Sequence, residues 1–348
     1  MAFATLSFTT LRRLTMPLVL GVSMAVAAPL VSAEELKFGI ISTESSQNQA
    51  PLWQPFLDDM SEQLGMEVKP FFATDYAAVI EAMRFNQIDL AWYGNKSAME
   101  AVDRAGGEVF AQTVPENGQP GYWSLLIVNQ DSDLQSVDDV LANASDLIFG
   151  NGDPNSTSGY LVPGYYVFAK QGVDAATAFK RTLNSSHETN ALAVANKQVD
   201  VATFNTESME RLEITAPDKA EQLRVIWKSP LIPSDPLVWR SSLDEDTKQK
   251  LRDFLLNYGD SAEEKEILAP LQWARFDESS NDQLLPIRQL SMFQKRAAVE
   301  KDQSLSDSER ETKLAEIDAK LDELDKRMSE VQAADAGTED EADSTTTG

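Results

Sequence analysis

The chain has 348 residues and a formal net charge of -26, with 42% hydrophobic residues, no cysteine and one histidine, His187. That length holds two lobes of ordinary domain size, each with its own core. Without thiols there is no disulfide, thiolate metal site or cysteine nucleophile, one histidine argues against a histidine-rich metal centre, and the acidity argues against nucleic acid and anionic membranes as partners.

Residues 1–33 read as a secretory signal. Arg12 and Arg13 supply the positive flank, residues 16–28 the apolar core, and Val31-Ser32-Ala33 the small-residue cleavage pattern. The core is short for a membrane span and is broken by Pro17 and Pro29. Cleavage after Ala33 is expected, placing the mature chain in the periplasm.

From there strands and helices alternate. Leu36 to Ile41 reads as a strand, Pro51 to Leu64 as an amphipathic helix, Val68 to Phe72 as a strand, Tyr76 to Phe85 as a helix and Ile88 to Gly94 as a third strand. This interval predicts a mostly parallel, doubly wound sheet, in which ligands sit beyond the carboxyl ends of the strands. Ser42, Tyr76 and Gly94 follow three such ends. Gly121 to Asn129 reads as a longer strand crossing into a second lobe, where the pattern repeats. Ser136 to Asn143 is a helix, a strand holds Thr182 and Leu183, Asn190 to Lys197 is a helix, and Val199 to Thr203 and Leu223 to Lys228 are strands. Residues 237–280 are expected back in the first lobe, with a helix from Lys248 to Tyr258.

The stretch Phe149-Gly-Asn-Gly-Asp-Pro-Asn-Ser-Thr-Ser-Gly159 stands between a short strand and an apolar repeat at 161, 162, 165, 168 and 169. Ser156, Thr157 and Ser158 thus fall where a helix begins. Its first turn leaves backbone N–H groups unpartnered and carries partial positive charge, so added hydroxyls make a socket for a tetrahedral oxyanion. An ordinary Ser/Thr cap is the plain alternative; the glycines at 150, 152 and 159, which remove bulk around the turn, favour a site. Tyr165 and Tyr166 read as core.

The run Gly150 to Gly159 resembles the periplasmic phosphonate-binding proteins of ABC transporters. So do His187-Glu-Thr-Asn-Ala-Leu-Ala-Val-Ala-Asn-Lys-Gln-Val-Asp-Val-Ala202 and Trp227-Lys-Ser-Pro-Leu-Ile-Pro-Ser-Asp-Pro236. The resemblance covers nearly the whole mature chain and fades in the last forty or so residues. It implies an α/β, two-lobed type II periplasmic binding protein fold that closes on its ligand. Residues 34–122 and 236–305 would form lobe 1, and 123–235 lobe 2. It also implies a small phosphonate ligand, with 2-aminoethylphosphonate favoured, an inner-membrane permease as partner, no enzymatic activity and no cofactor. Carried over by position, the ligand contacts fall on Tyr76, Tyr122, Ser156, Thr157, Ser158, His187, Glu207 and Asp235.

The residue types fit those roles. The three hydroxyls would hold phosphonate oxygens, and Tyr76 and Tyr122 would offer phenolic O–H groups from opposite walls. A bound dianion would favour the charged form of His187. Read singly, Glu207 is a helix-start carboxylate and Asp235 a turn residue before Pro236. As a pair beside an oxyanion site they would repel a simple phosphate, and they make sense if the ligand carries an ammonium. A receptor for phosphite, phosphate or another phosphorus oxyanion is the alternative. A hydrolase is disfavoured because no Gly-x-Ser-x-Gly elbow is present.

Ser306-Asp-Ser-Glu309 has the capping-box pattern. Leu314, Ile317, Leu321, Leu324, Met328 and Val331 then follow at spacings of three and four, the seam of a coiled coil. A C-terminal helix over 306–333 is expected, followed by a disordered acidic tail over 334–348. Packing of the stripe on the chain's own first lobe competes with self-association as a homodimer. The resemblance favours the dimer.

Overall fold

The computed structural model describes residues 35–345, with side chains through residue 334. The expected signal segment 1–33 and residues 346–348 lie outside the described residues.

The first half alternates β1 (Glu35–Ile40), α1 (Ser46–Leu64), β2 (Glu67–Phe72), α2 (Tyr76–Arg84), β3 (Leu90–Trp92), α3 (Asn95–Arg104) and β4 (Gly107–Pro115). The chain then crosses through β5 (Gly121–Tyr122) into β6 (Ser124–Asn129), α4 (Val137–Asn143), β7 (Ile148–Gly152), α5 (Ala175–Ala178), β8 (Arg181–Ser185), α6 (His187–Ala195), β9 (Val201–Asn205), α7 (Thr206–Thr215), α8 (Pro217–Ala220) and β10 (Leu223–Lys228). It returns by β11 (Ile232–Pro233) to β12 (Pro236–Arg240), α9 (Glu245–Leu256), α10 (Ala262–Leu268), β13 (Trp273–Glu278), α11 (Leu285–Lys301) and α12 (Asp307–Thr345).

Two open sheets result, a six-stranded one in the order β13-β4-β12-β3-β1-β2 and a five-stranded one in the order β10-β6-β9-β7-β8. Both are mixed, which corrects the mostly parallel sheet expected from the alternation. β1 runs parallel to β2 and β3, and β7 to β8 and β9, but β12 is antiparallel to β3 and β4, and β6 to β9 and β10. The cause is the crossing. A strand arriving from the other lobe begins at the cleft, so it runs against the strands that end there. The single long strand expected from Gly121 to Asn129 is interrupted at Trp123, and β5 pairs with β11 in a two-stranded ribbon where the chain passes between lobes.

The first lobe is packed around Phe38, Phe56, Trp53, Trp239 and Phe110. The second has an apolar cluster on each side of its sheet, one around Phe204 and Val194, the other around Phe149, Phe168 and Phe179. Tyr165 and Tyr166 prove half-buried rather than core, with the Lys170 ammonium 5.8 and 5.4 Å from their ring centres.

The C-terminal stripe folds back on its own chain. Leu321 is buried while Leu314, Ile317, Leu324, Met328 and Val331 are half-buried. Arg296 of α11 pairs with Asp318 of α12 at 2.7 Å, and Arg327 reaches Asp282 at 2.6 Å. Where the sequence suggested a disordered tail from 334, the helical backbone runs on to Thr345. Extending an existing helix adds one hydrogen bond per residue without a new nucleation cost, and the Ala- and Glu-containing sequence favours it.

Candidate functional site

Tyr76, Tyr122, Ser156, Thr157, Ser158, His187, Glu207 and Asp235, the eight expected contacts, all line one cavity between the two sheets. Six follow or precede strand ends that meet there, since β7, β8 and β9 end at it and β12 begins at it, while Tyr76 opens α2 and Tyr122 lies in β5. Of the three residues read as following strand ends, Tyr76 and Gly94 line the cavity; Ser42 is buried, and Ile41 and Thr43 line it instead.

The central turn is held by glycine. A Cβ on Gly152 would lie 2.5 Å from the Gly159 Cα, and one on Gly159 would lie 2.9 Å from Ser156 Oγ. Strand end and helix start therefore approach backbone to backbone. The helix expected after the turn opens with a wider, π-type turn over Thr157–Leu161, in which the Leu161 N–H reaches back to the Ser156 carbonyl at 3.2 Å. A second such turn, Gly164–Phe168, follows Pro163. Proline cannot donate to the helical ladder, and widening the turn accommodates the missing bond. Ser156 caps the first turn, its Oγ accepting from the Gly159 N–H at 3.0 Å. Thr157 Oγ1 accepts from the Lys96 N–H at 2.8 Å, which leaves its own proton free to donate.

His187 is the first residue of α6 rather than a residue before it, because Ser186 caps that helix. Asn205, the cap of α7, accepts from the Ser208 N–H through Oδ1 at 2.7 Å, so its amide NH2 must face Ser158 Oγ at 3.1 Å and His187 Nε2 at 3.3 Å. That network assigns Nε2 as the acceptor and puts the imidazole proton on Nδ1. Burial holds the His187 pKa down to about 4, so the ring is neutral here. This side of the cavity is thus built of neutral groups, the three hydroxyls and the His187 ring, all of them buried.

The opposite side is acidic. Tyr122 O–H donates to Asp235 Oδ1 at 2.9 Å. Burial, then the charge of Glu207, pushes the Asp235 pKa well up, offset in part by Tyr122 and the Asn95 N–H. Glu207, in the first turn of α7, is only partly covered, with its open side on the cavity. It lies deep between the lobes, and burial raises its pKa to about 7 against the pull of Arg211. Burial and the nearby carboxylates, Asp235 first, keep both tyrosines protonated. At neutral pH the acid pair is therefore poised to hold a proton.

Sequence reasoning missed Asn205, Ser208, Arg211, Trp92 and Trp273, which also line the cavity. Asn205 had a readable signal as a cap preceding Thr206-Glu207. Arg211 lies one helical turn after Glu207 and bonds Glu44 of the other lobe at 2.9 Å, with both side chains nearly buried. Its role depends on that distant partner and left no local signal. Among the described residues, no helix is long and apolar enough to cross a membrane.

Two α/β lobes joined by crossing strands, with polar groups from both converging on the cleft, define a type II periplasmic binding protein. The family described as ABC transporter, phosphonate, periplasmic substrate-binding protein matches residues 38–284. The chain belongs to that family. It is 60% identical to the phosphonates-binding periplasmic protein of Escherichia coli over 282 residues, 81% of this chain and 83% of the other. A crystal structure of a binding component of a phosphonate ABC transporter from Pseudomonas aeruginosa is 65% identical, with a TM-score of 0.85, covering 86% of this chain and 99% of that one. A probable phosphite-binding protein of an ABC transporter from Prochlorococcus marinus is 26% identical, over 56% of this chain and 66% of its own length. These relatives are binding components and not enzymes.

Proposed function

We propose that the chain captures a small zwitterionic phosphonate, 2-aminoethylphosphonate in preference to others, and delivers it to an inner-membrane permease. Ser156, Thr157 and Ser158, with Tyr76, hold the phosphonate, and His187, neutral in the empty site, joins them in the charged form that a bound dianion favours; Glu207 and Asp235 hold the ammonium, and Tyr122 orients Asp235. The observation that carries the reading is the placement of two deeply set carboxylates on the same cavity as three buried hydroxyls. An oxyanion alone gains nothing from that pair, whereas an ammonium two carbons from phosphorus satisfies it. Titration of the purified protein with aminoethylphosphonate, ethylphosphonate, phosphite and phosphate tests the reading. Equal affinity for the amine and its deaminated analogue would refute it and put the simple phosphorus oxyanion first, a second reading supported by the probable phosphite-binding relative from Prochlorococcus marinus.

The lobes of this reading are residues 34–122 with 236–305, and 123–235, divided where the β5–β11 ribbon carries the chain across. Export follows from residues 1–33: the periplasmic protein should begin at Glu34 by mass spectrometry, and a species retaining Met1 would count against cleavage. For self-association the contact is the α11–α12 hairpin, because most of its stripe is only half-covered within the chain. Light scattering should report a dimer for the mature chain and a monomer after truncation at residue 305. A monomer in both would sink the homodimer.

A further inference from the structure

Three helices of the first lobe start at the cleft, and each receives an acceptor from the opposite lobe. Ser45, the cap of α1, makes no side-chain capping bond. Its backbone N–H donates instead to Glu188 Oε2 at 2.8 Å, and the Asn48 amide donates to the other Glu188 oxygen. At α2, Asp153 accepts from the Tyr76 N–H at 3.2 Å. At α3, Gly94 has no side chain to cap with, and the Thr157 hydroxyl accepts from Lys96. When the lobes part, α2 keeps a cap of its own, since Asp75 accepts from the Ala78 N–H at 2.8 Å, whereas α1 and α3 have no side-chain cap within their own lobe and lose the acceptor that the other lobe supplies.

Glu188 occupies the most charged of these junctions. It is the second residue of α6, and its own N–H donates to the Thr43 carbonyl, just before α1, at 3.3 Å. The N-termini of α1 and α6, each with partial positive charge, thus meet across the cleft with one carboxylate between them. Glu188 lies outside the residues that line the site cavity.

We propose that Glu188 is a positioning residue for ligand capture: capping α1 from α6, it holds the lobes closed and sets how slowly bound ligand leaves. This rests on the reading of the cleft as the phosphonate site. Ligand can leave only when the lobes part, and parting them breaks the cap. Encounter with the open cleft does not involve it. The contact therefore acts on koff and leaves kon nearly unchanged. Removing a capping acceptor is expected to speed release ~2- to 30-fold.

The test is stopped-flow binding of aminoethylphosphonate to the full mature chain, followed by tryptophan fluorescence, since Trp92 and Trp273 line the cavity. Glu188→Ala should raise koff within that range with kon within about twofold of the unmodified value. Glu188→Gln should fall between, because its amide keeps one acceptor oxygen and loses the charge. Glu188→Lys puts a third positive charge at the junction, should have the largest effect, and should show a more open ligand-free form by small-angle scattering. Unchanged release in both Glu188→Ala and Glu188→Lys, or an affinity loss carried by kon, would overturn the inference alone. An unmodified protein that binds none of the phosphorus oxyanions would overturn the functional reading and this inference with it.

Discussion

Aminoethylphosphonate should bind the purified protein ~30- to several-thousand-fold more tightly than ethylphosphonate, and the ratio should widen as pH rises. Leaving a buried charge without its partner costs ~2–5 kcal/mol, which sets that range. The protonation of the acid pair gives the pH dependence its sign. Glu207 has a pKa raised to about 7, and Asp235 is pushed upward as well. The amine ligand needs the carboxylates charged, so below about pH 7 its binding must expel a proton and weakens by up to ~10-fold per pH unit. The deaminated ligand needs them neutral, so above about pH 7 its binding must take up a proton and weakens at a similar rate. Ionisation of the phosphonate is common to both ligands and largely cancels in the ratio. Calorimetry at several pH values in buffers of different ionisation enthalpy measures both the ratio and the protons exchanged. A ratio flat between pH 6 and 9 would mean that the carboxylates do not face the ligand's amine.

Replacing Glu207 by glutamine should stabilise the ligand-free protein at alkaline pH while it abolishes most of the preference for the amine. The model value for a glutamate is 4.5, and Glu207 sits at about 7 in the folded chain. Between those values the folded state binds more protons than the unfolded one, so stability falls as pH rises through the window. Below about pH 4.5 the penalty is absent. Above about pH 7 it is complete, and amounts to up to ~3 kcal/mol. Glu207→Gln removes it. Urea unfolding of the ligand-free proteins should show the variant ahead at pH 8.5 and nearly equal at pH 5. With saturating aminoethylphosphonate the order should reverse, because the unmodified chain then gains the ammonium pair and the variant gains little. A stability difference that does not change between the two pH values would contradict the desolvated carboxylate. The binding site is thus expected to cost stability until it is filled, as residues kept for function commonly do.

Much of the site could be read locally. Ser156-Thr157-Ser158 between two glycine-flanked ends is a short-range pattern, since caps, tight turns and close approaches are set by residues a few positions apart. Glu207 as a helix-start carboxylate came from the same kind of signal, and the structure places it in the first turn of α7. The strand–helix alternation was legible because periodicity records which side of an element faces the core.

Strand direction was not legible, because whether a strand is parallel to its neighbour depends on which lobe the chain has just left. The π-type turns escaped as well, since the apolar repeat from 161 to 169 is compatible with more than one helical pitch. What only the tertiary structure decided is what lies across space from what. Tyr122 meets Asp235 from 113 positions away, Arg211 meets Glu44 from 167, and Glu188 caps a helix whose start lies 143 positions earlier. The same holds for protonation. His187, Glu207 and Asp235 are ordinary titrating residues in sequence, and it is removal from water, together with the charges folding brings beside them, that moves them. Sequence alone determined the chemistry available at each element's end; desolvation and charge proximity, which exist only after the lobes assemble, decided how that chemistry is poised.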